Sequence, residues 1–109
     1  MVSRVNFLAV EPDRIADVKR VVHEVVHPGI RDEPGFVGYI VLGDRETGDA
    51  LGVTLWESDD AREASDVKAR DIRPRVEKET GGTMRAVTRF EVLLFDVRSG
   101  GESGEDTPG

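Results

Sequence analysis

The sequence predicts one α+β domain with four strands and two helices in the order β-α-β-β-α-β. Three observations support this fold class. Apolar residues recur at helical spacing from Ile15 to Val26, two apolar stretches flank a polar turn at residues 44–49, and an apolar run occupies residues 86–97. This order is typical of a ferredoxin-like sandwich, in which both helices cover one face of a four-stranded antiparallel sheet.

The first strand and the first helix are predicted within residues 2–27. Residues 2–10 are mostly apolar, and Glu11-Pro12-Asp13 then favours a helix start, because proline and acidic residues suit a first turn. The apolar stripe that follows consists of Ile15, Val18, Val22, Val25 and Val26. Its spacing predicts an amphipathic helix over residues 13–27. Pro28-Gly29 is expected to kink or end this helix.

The middle of the chain predicts a β-hairpin and a second helix. Residues 36–43 and 50–57 are apolar and form the two strands on either side of the polar turn. Ser58 is a suitable N-cap for a helix that runs towards Thr80. Pro74 is expected to break that helix into two pieces.

The C-terminal part predicts a fourth strand over residues 86–97, which completes a domain of residues 1–97. Val92-Leu93-Leu94-Phe95 is apolar at consecutive positions, so its side chains point to both faces of the sheet. Because the helices cover only one face, a second copy of the chain is the expected cover for the other, and we expect a homodimer. Residues 98–109 are acidic and rich in Gly and Ser, which predicts a disordered tail.

Composition excludes several classes of partner and chemistry. The 109 residues carry a net charge of −7, which disfavours nucleic acid and anionic membranes as partners, because an acidic surface repels phosphate groups. The chain has no cysteine, so disulfides, thiolate nucleophiles and zinc-thiolate sites are excluded. With no apolar membrane span and no signal-peptide pattern, we expect a cytoplasmic protein.

Residues 23–27, His-Glu-Val-Val-His, match the H-E-x-x-H helix motif of zinc metalloproteases. His23 and His27 fall on the polar flank of the predicted helix, and the chain has no other histidine to complete a zinc site. Pro28 also disturbs the helix directly after the second histidine. We therefore predict two histidines that face solvent and no metal site, with weak adventitious zinc or nickel binding as the alternative.

Residues 34–60, PGFVGYIVLGDRETGDALGVTLWESDD, are similar to the antibiotic biosynthesis monooxygenase (ABM) family of the dimeric α+β barrel superfamily. The motifs that carry the resemblance are Pro34-Gly35-Phe36 at the start of the second strand and Trp56-Glu57-Ser58 at the end of the third. Strand order and length agree over residues 1–97. The resemblance implies a ferredoxin-like monomer that pairs face to face with a second copy as a dimeric α+β barrel.

The resemblance implies two activities. One is the oxygenation of polycyclic phenolic substrates without a cofactor, in which the substrate's own carbanion reacts with oxygen. The other is haem degradation, for which members use an Asn on the first strand, a Trp on the second helix and a His further along that helix. Asn6 matches the first position, but Ser65 and Arg75 stand at the other two. We therefore expect neither haem nor any other cofactor.

The candidate site residues are polar or amphipathic side chains within otherwise apolar strands: Asn6, Tyr39, Thr54 and Trp56. We expect Asn6 and Trp56 to be catalytic and Tyr39 and Thr54 to bind the substrate, in the pocket that the resemblance implies between sheet and helices. Gly52 leaves room beside them. This site requires Asn6 and Trp56 to share one face of the sheet, which depends on strand register. The alternatives are a structural Trp56, a Tyr39 at the barrel rim and an Asn6 at a strand edge.

Two functions remain open at this point. The first is an ABM-like monooxygenase that oxidises an aromatic or polyketide-like small molecule without metal, flavin or haem. The second is a non-catalytic or unassigned dimeric barrel that binds a small apolar ligand or only dimerises. Arg73 and Arg89 present a similar choice, because they could clamp an acidic ligand or form salt bridges with some of the 22 acidic residues.

Overall fold

The computed structural model describes residues 1–98 and confirms the predicted order of strands and helices. The strands are β1 Val2–Ala9, β2 Phe36–Gly43, β3 Asp49–Trp56 and β4 Thr83–Glu91. They form one antiparallel sheet in the spatial order β2-β3-β1-β4, with the helices packed on one face. This is the ferredoxin-like arrangement. Of the disordered tail predicted over residues 98–109, residues 99–109 lie outside the described part of the chain.

The first helical region continues through the proline that was expected to kink or end it. A 3₁₀ turn, Pro12–Arg14, leads into α1, Ile15–Val21, then a π-helical turn, Val22–Val26, and finally α2, His27–Ile30. Pro28 has no N–H, so the carbonyl four residues before it loses its α-helical donor. The chain adapts by widening: the N–H of His27 bonds to the carbonyl of Val22, five residues back. The π turn therefore lets the helix pass Pro28.

The second helical region is interrupted at Ser65 rather than at Pro74. It consists of α3, Asp59–Ala64, and α4, Asp66–Thr80. Ser58 caps α3 as predicted, since its hydroxyl accepts the N–H of Ala61 at 3.1 Å. The predicted break at Pro74 is wrong. Pro74 and Arg70 are both exposed, so the Arg70 carbonyl that lacks a donor lies on the solvent side of the helix.

β4 begins and ends earlier than the predicted range of residues 86–97. Its pairing with β1 ends at Val2 and Glu91. The N–H of Val92 still donates to the carbonyl of Met1 at 3.0 Å, and residues 92–98 then continue without regular structure. The side chains of Leu93 and Leu94 are 87% and 86% exposed. Among residues 1–98, this apolar segment has no partner strand.

The core lies between the sheet and the helices. The predicted valine stripe of the first helical region is buried there against β1 and β3, and a smaller group around Trp56 continues the core. None of the described helices is both long and apolar enough to span a membrane. The cytoplasmic location stays a prediction.

Candidate functional site

A cavity of about 80 Å³ lies between the sheet and the helices. Its walls are mainly aliphatic, with Val22 and Val26 from the first helical region facing Ile72 from α4. The polar side chains that line it come from β1, β2, β3 and α4: Arg4, Asn6, Tyr39, Thr54 and Arg73. A water molecule needs only about 10–15 Å³ on this kind of measure, so the cavity has room for a small ligand.

Asn6 and Trp56 point to the same face of the sheet. The register of β1 and β3 places Asn6 opposite Gly52 and Val2 opposite Trp56, so both side chains lie on the helix side. Trp56 is fully buried, and its ring lies 5.5 Å from that of Phe36. The tryptophan therefore belongs to the core between sheet and helices, not to the outer face.

Thr54 reaches the cavity, with Trp56 directly behind it. The indole Nε1 of Trp56 donates to the Thr54 Oγ1 at 2.9 Å. Thr54 lies opposite Tyr39 in β2 and opposite Arg4 in β1, so three of the polar lining residues are neighbours across the sheet. The indole N–H is therefore already occupied by the protein, where it fixes the position of the threonine hydroxyl.

The amide of Asn6 connects the sheet to α4. Its Nδ2 donates to the carbonyl of Gly52 at 3.2 Å, and its Oδ1 accepts a hydrogen bond from Arg73 Nε at 3.4 Å. A primary amide carries two N–H donors, so one of them remains for a ligand. Beside Asn6, a Cβ added to Gly52 would meet no atom within 4 Å. The predicted room at Gly52 is present.

Arg4 is a cavity residue that the sequence motifs do not indicate. It is 1% exposed, and its Nη2 donates to Asp66 Oδ1 at 2.5 Å and to the carbonyl of Arg62 at 2.7 Å. Its Nε is buried without a partner among the described residues. The available signal was strand alternation, since Arg4 shares the inward face with Asn6 and Leu8. A charged residue at an inward position marks a buried polar network.

Asp66, at the start of α4, binds two arginines from the sheet. Its two carboxylate oxygens accept Arg4 Nη2 at 2.5 Å and Arg89 Nη2 at 3.1 Å. Burial alone would raise the pKa of Asp66, but the hydrogen bond and charge of Arg4, together with Arg89, outweigh it and hold that pKa below its usual value. Burial in turn lowers the pKa of Arg4, which Asp66 only partly offsets. Of the two roles considered for Arg89, clamping an acidic ligand or forming a salt bridge, the structure shows the salt bridge.

Arg73 also lines the cavity, but its pairing differs from that of Arg4. It is half-buried on α4, and among the described residues it forms no ion pair; its one hydrogen bond is the long contact with Asn6. Burial lowers the pKa of Arg73, the charge of Asp66 raises it, and the charge of Arg89 lowers it. The guanidinium charge of Arg73 therefore lies beside the cavity, and no carboxylate within residues 1–98 pairs with it.

The two histidines of the H-E-x-x-H motif have different surroundings. His23 is exposed as expected, whereas His27 is half-buried, with its ring 4.9 Å from Tyr39 and 6.2 Å from Phe36. Within residues 1–98, no three His, Asp or Glu side chains are grouped so that they could hold a metal ion. Absence of a bound metal in the protein stays a prediction.

The two positions that depart from the haem-degrading pattern do not face the cavity. Ser65 is buried, where its hydroxyl donates to the Arg62 carbonyl at 2.6 Å and accepts Arg4 Nη2 at 2.9 Å. Arg75 is exposed and pairs with Glu79 at 2.8 Å. The α4 arginine at the cavity is Arg73.

Comparison with known proteins gives the same family as the motifs of residues 34–60. The family model described as antibiotic biosynthesis monooxygenase matches residues 1–66. Two uncharacterized proteins of Mycobacterium tuberculosis, MT2634 and Rv2557, are 34% identical over 74 residues. The match covers 68% of this chain and 33% of each relative, so the chain spans about a third of the length of these curated relatives.

Solved structures share the fold over most of the chain. SnoaB, a cofactor-independent oxygenase from Streptomyces nogalater, is 20% identical with a TM-score of 0.61, covering 86% of this chain and 94% of that one. MhuD, a haem degrader from Mycobacterium tuberculosis solved with two haems in its active site, is 28% identical with a TM-score of 0.61, covering 89% and 99%. The predicted fold class and family resemblance are confirmed.

Proposed function

Because the chain belongs to the antibiotic biosynthesis monooxygenase family, we propose that it oxygenates a small aromatic molecule without a cofactor. The substrate binds in the cavity between the sheet and the helices. The observation that carries this proposal is the convergence of Asn6, Tyr39 and Thr54, with Arg4 and Arg73, on a cavity whose other walls are mainly aliphatic. Such a combination of apolar walls and a few convergent polar groups is typical of a small-molecule site.

In the proposed mechanism, a ring carbon of the ionised phenol forms a C–O bond with dioxygen, which is the oxidant. That carbon then loses its proton as the O–O bond breaks, which leaves a quinone and releases the second oxygen atom as water. The protein binds and orients the substrate and excludes bulk water. Asn6 is the catalytic residue, because its free amide N–H can stabilise negative charge on a substrate oxygen. Tyr39 provides an aromatic wall, and Thr54 provides a hydroxyl beside it. Trp56 acts through Thr54 and is a positioning residue. In a dry cavity, each of these few hydrogen bonds is stronger than in water.

The size of the cavity limits the substrate. An engineered protein cavity of about 150 Å³ binds benzene, and the cavity here measures about 80 Å³. The cavity is about half that size, so the lining side chains must move apart for a single aromatic ring to enter. The polycyclic substrates implied by the family resemblance exceed it.

The similarity to MhuD raises haem degradation as a second candidate, and the residues present do not fit it. No histidine is among the described residues that line the cavity. Ser65 is bound within the protein, and Arg75 points outward to Glu79. A cavity of about 80 Å³ is also far below the roughly 300–1,000 Å³ of sites for large ligands.

We also propose that the chain forms a homodimer through the outer face of the sheet. Apolar residues on that face include Val5, Phe7, Ile40, Leu42 and Phe90. Leu42 is 51% and Phe90 is 55% exposed in the single chain. A contiguous exposed apolar face is unusual for a monomer, and a second copy of the same face would cover it with two-fold symmetry.

The test of the proposed activity is oxygen uptake by purified protein with a panel of single-ring phenols. We expect uptake that depends on substrate, continues in the presence of a metal chelator and yields an oxygenated product by mass spectrometry. Asn6→Ala should lower the rate about 100-fold, the usual effect of removing one oxyanion-stabilising donor. Ligand binding without any oxygen uptake would instead support the non-catalytic barrel.

A further inference from the structure

We propose that the cavity selects ligands with an anionic oxygen on or next to an aromatic ring, and that Arg73 is the residue that recognises this charge. Phenolates and aromatic carboxylates are the chemical classes that carry such an oxygen. The inference rests on the proposed ligand cavity and names the class of molecule that enters it. It does not depend on whether that molecule is then oxygenated.

The first support is the lack of a carboxylate partner for Arg73. Several arginines of the sheet and helices have one: Arg4 and Arg89 bind Asp66, Arg62 binds Asp59 and Arg75 binds Glu79. Arg70 and Arg85 also form no ion pair among the described residues, but both are exposed, whereas Arg73 is half-buried. Among the described residues, Arg73 makes only the 3.4 Å contact with Asn6, which is longer than an ordinary N–H···O bond of about 2.7–3.2 Å. A guanidinium group has five N–H donors, so most of its capacity is free.

The second support is the local balance of charge. Asp66 is the carboxylate whose charge acts on Arg73, and its two oxygens already accept hydrogen bonds from Arg4 and Arg89. The guanidinium groups of Arg4, Arg73 and Arg89 thus all interact with the charge of one carboxylate, and Arg4 and Arg73 of these line the cavity, within a chain whose net charge is −7. Removing a cation from water is costly unless it is paired, and burial already lowers the pKa of Arg73. An anionic ligand would supply the missing pair.

The third support is the position of Arg73 beside both Asn6 and the aliphatic walls. An oxygen placed between the Arg73 guanidinium and the free N–H of Asn6 would accept charge-assisted hydrogen bonds from both. The ring attached to that oxygen then lies among Val22, Val26 and Ile72. The cavity therefore has a cationic end and an apolar body, which matches an aromatic anion.

The experiment compares two ligands of similar size that differ in charge. 4-Nitrophenol titrates to a coloured phenolate, and nitrobenzene is its neutral counterpart. The wild type should bind the phenolate at least about tenfold more tightly than nitrobenzene. The pKa of 4-nitrophenol should also fall by about one unit on binding, which corresponds to a tenfold preference for the phenolate over the neutral phenol. Arg73→Gln should abolish both effects. Arg75→Gln makes the same charge change on the same helix, at an exposed position, and should leave both effects intact.

Each outcome decides the proposal. Equal affinity of the wild type for the two ligands overturns charge selection but leaves the cavity and the proposed oxygenation standing. Equal losses in Arg73→Gln and Arg75→Gln overturn a specific role for Arg73. Binding of neither ligand by the wild type overturns both the inference and the ligand cavity. If Arg73→Gln does not fold, Arg73→Met, which keeps the aliphatic stem without the charge, replaces it, and retention of the phenolate preference in that variant contradicts the proposal.

Discussion

Arg73 Nε lies 3.4 Å from Asn6 Oδ1, although the two residues are 67 positions apart in the sequence. The contact joins the central strand β1 to helix α4 at the wall of the cavity. On its other side, the Asn6 amide donates to the carbonyl of Gly52 in β3. The amide is therefore fixed in orientation by the sheet and adjoins a cation from the helix, which is the arrangement that a ligand oxygen would need.

Replacement of Asn6 by Asp should place a carboxylate where the amide oxygen now meets Arg73. The two groups would form an ion pair inside the cavity, and the positive charge would no longer be available to a ligand. We expect affinity for 4-nitrophenolate to fall at least about tenfold, with affinity for nitrobenzene changed much less. Fluorescence or calorimetric titration of both ligands gives the comparison. An unchanged preference for the phenolate would show that Arg73 does not meet the ligand.

Filling the space beside Gly52 should block the cavity without disturbing the fold. A Cβ at Gly52 meets no atom within 4 Å, and the glycine lines the cavity. Gly52→Val should therefore weaken binding of nitrobenzene at least about tenfold and raise stability by about 0.5–1 kcal/mol, because glycine is unfavourable within a strand. Gly38→Val is the matched control, since Gly38 also has open space around it but lies opposite Leu55 on the outer face. Wild-type binding by Gly52→Val would exclude this cavity as the ligand site.

Trp56 and Thr54 should prove to be energetically coupled. The hydrogen bond between them is buried, and such bonds contribute about 0.5–1.5 kcal/mol to stability. We expect a double-mutant cycle of Trp56→Phe and Thr54→Val, measured by urea denaturation, to give a coupling energy in that range. Strictly additive effects would mean that the indole does not hold the threonine hydroxyl. Trp56 would then be a packing residue alone.

The sequence predicted the fold well because periodicity reports which side of an element faces the core. The valine stripe of the first helix and the two apolar strands around residues 44–49 have the spacing that the structure shows. The helix bounds predicted from Pro28 and Pro74 were wrong, because the energetic cost of a proline depends on its surroundings. A π turn accommodates one, and solvent at the carbonyl of Arg70 accommodates the other.

The site was harder to predict because it depends on register and on long-range pairing. Asn6, Tyr39 and Thr54 were identifiable as polar residues within apolar strands, but their common face follows only from the pairing of β1, β2 and β3. Arg4 was missed, since nothing local shows that it will meet Asp66 in a distant helix. That Arg73 lacks a carboxylate partner among the described residues likewise cannot be read from the sequence, because it depends on which acidic side chains the other arginines bind.

Removal of Asp66 should destabilise the protein and change its acid sensitivity. Asp66→Asn leaves Arg4 buried without a carboxylate, which typically costs about 3–5 kcal/mol. Because the pKa of Asp66 is lowered in the folded protein, its contribution to the free energy of unfolding is fully present above the unfolded-state pKa. That contribution is lost as the pH falls through the folded-state pKa. The variant should therefore lose less stability than the wild type between about pH 5 and pH 2.

The measurement is urea denaturation across this pH range, and the control variant is Asp71→Asn, which changes an exposed aspartate on α4. Equal acid sensitivity of the wild type and Asp66→Asn would contradict the assigned role.

The outer sheet face should determine the oligomeric state. Light scattering should give a mass of about twice the 12.0 kDa of one chain, because exposed apolar side chains such as Leu42 and Phe90 gain about 25 cal/mol for each Å² buried by a second copy. Leu42→Lys places a charge in that contact and should yield monomer. Val67→Lys adds the same charge at a residue that is 64% exposed on α4, and it should remain dimeric because α4 covers the opposite face of the sheet. A wild-type mass of one chain, or dissociation in both variants, would rule out the sheet face as the dimer contact.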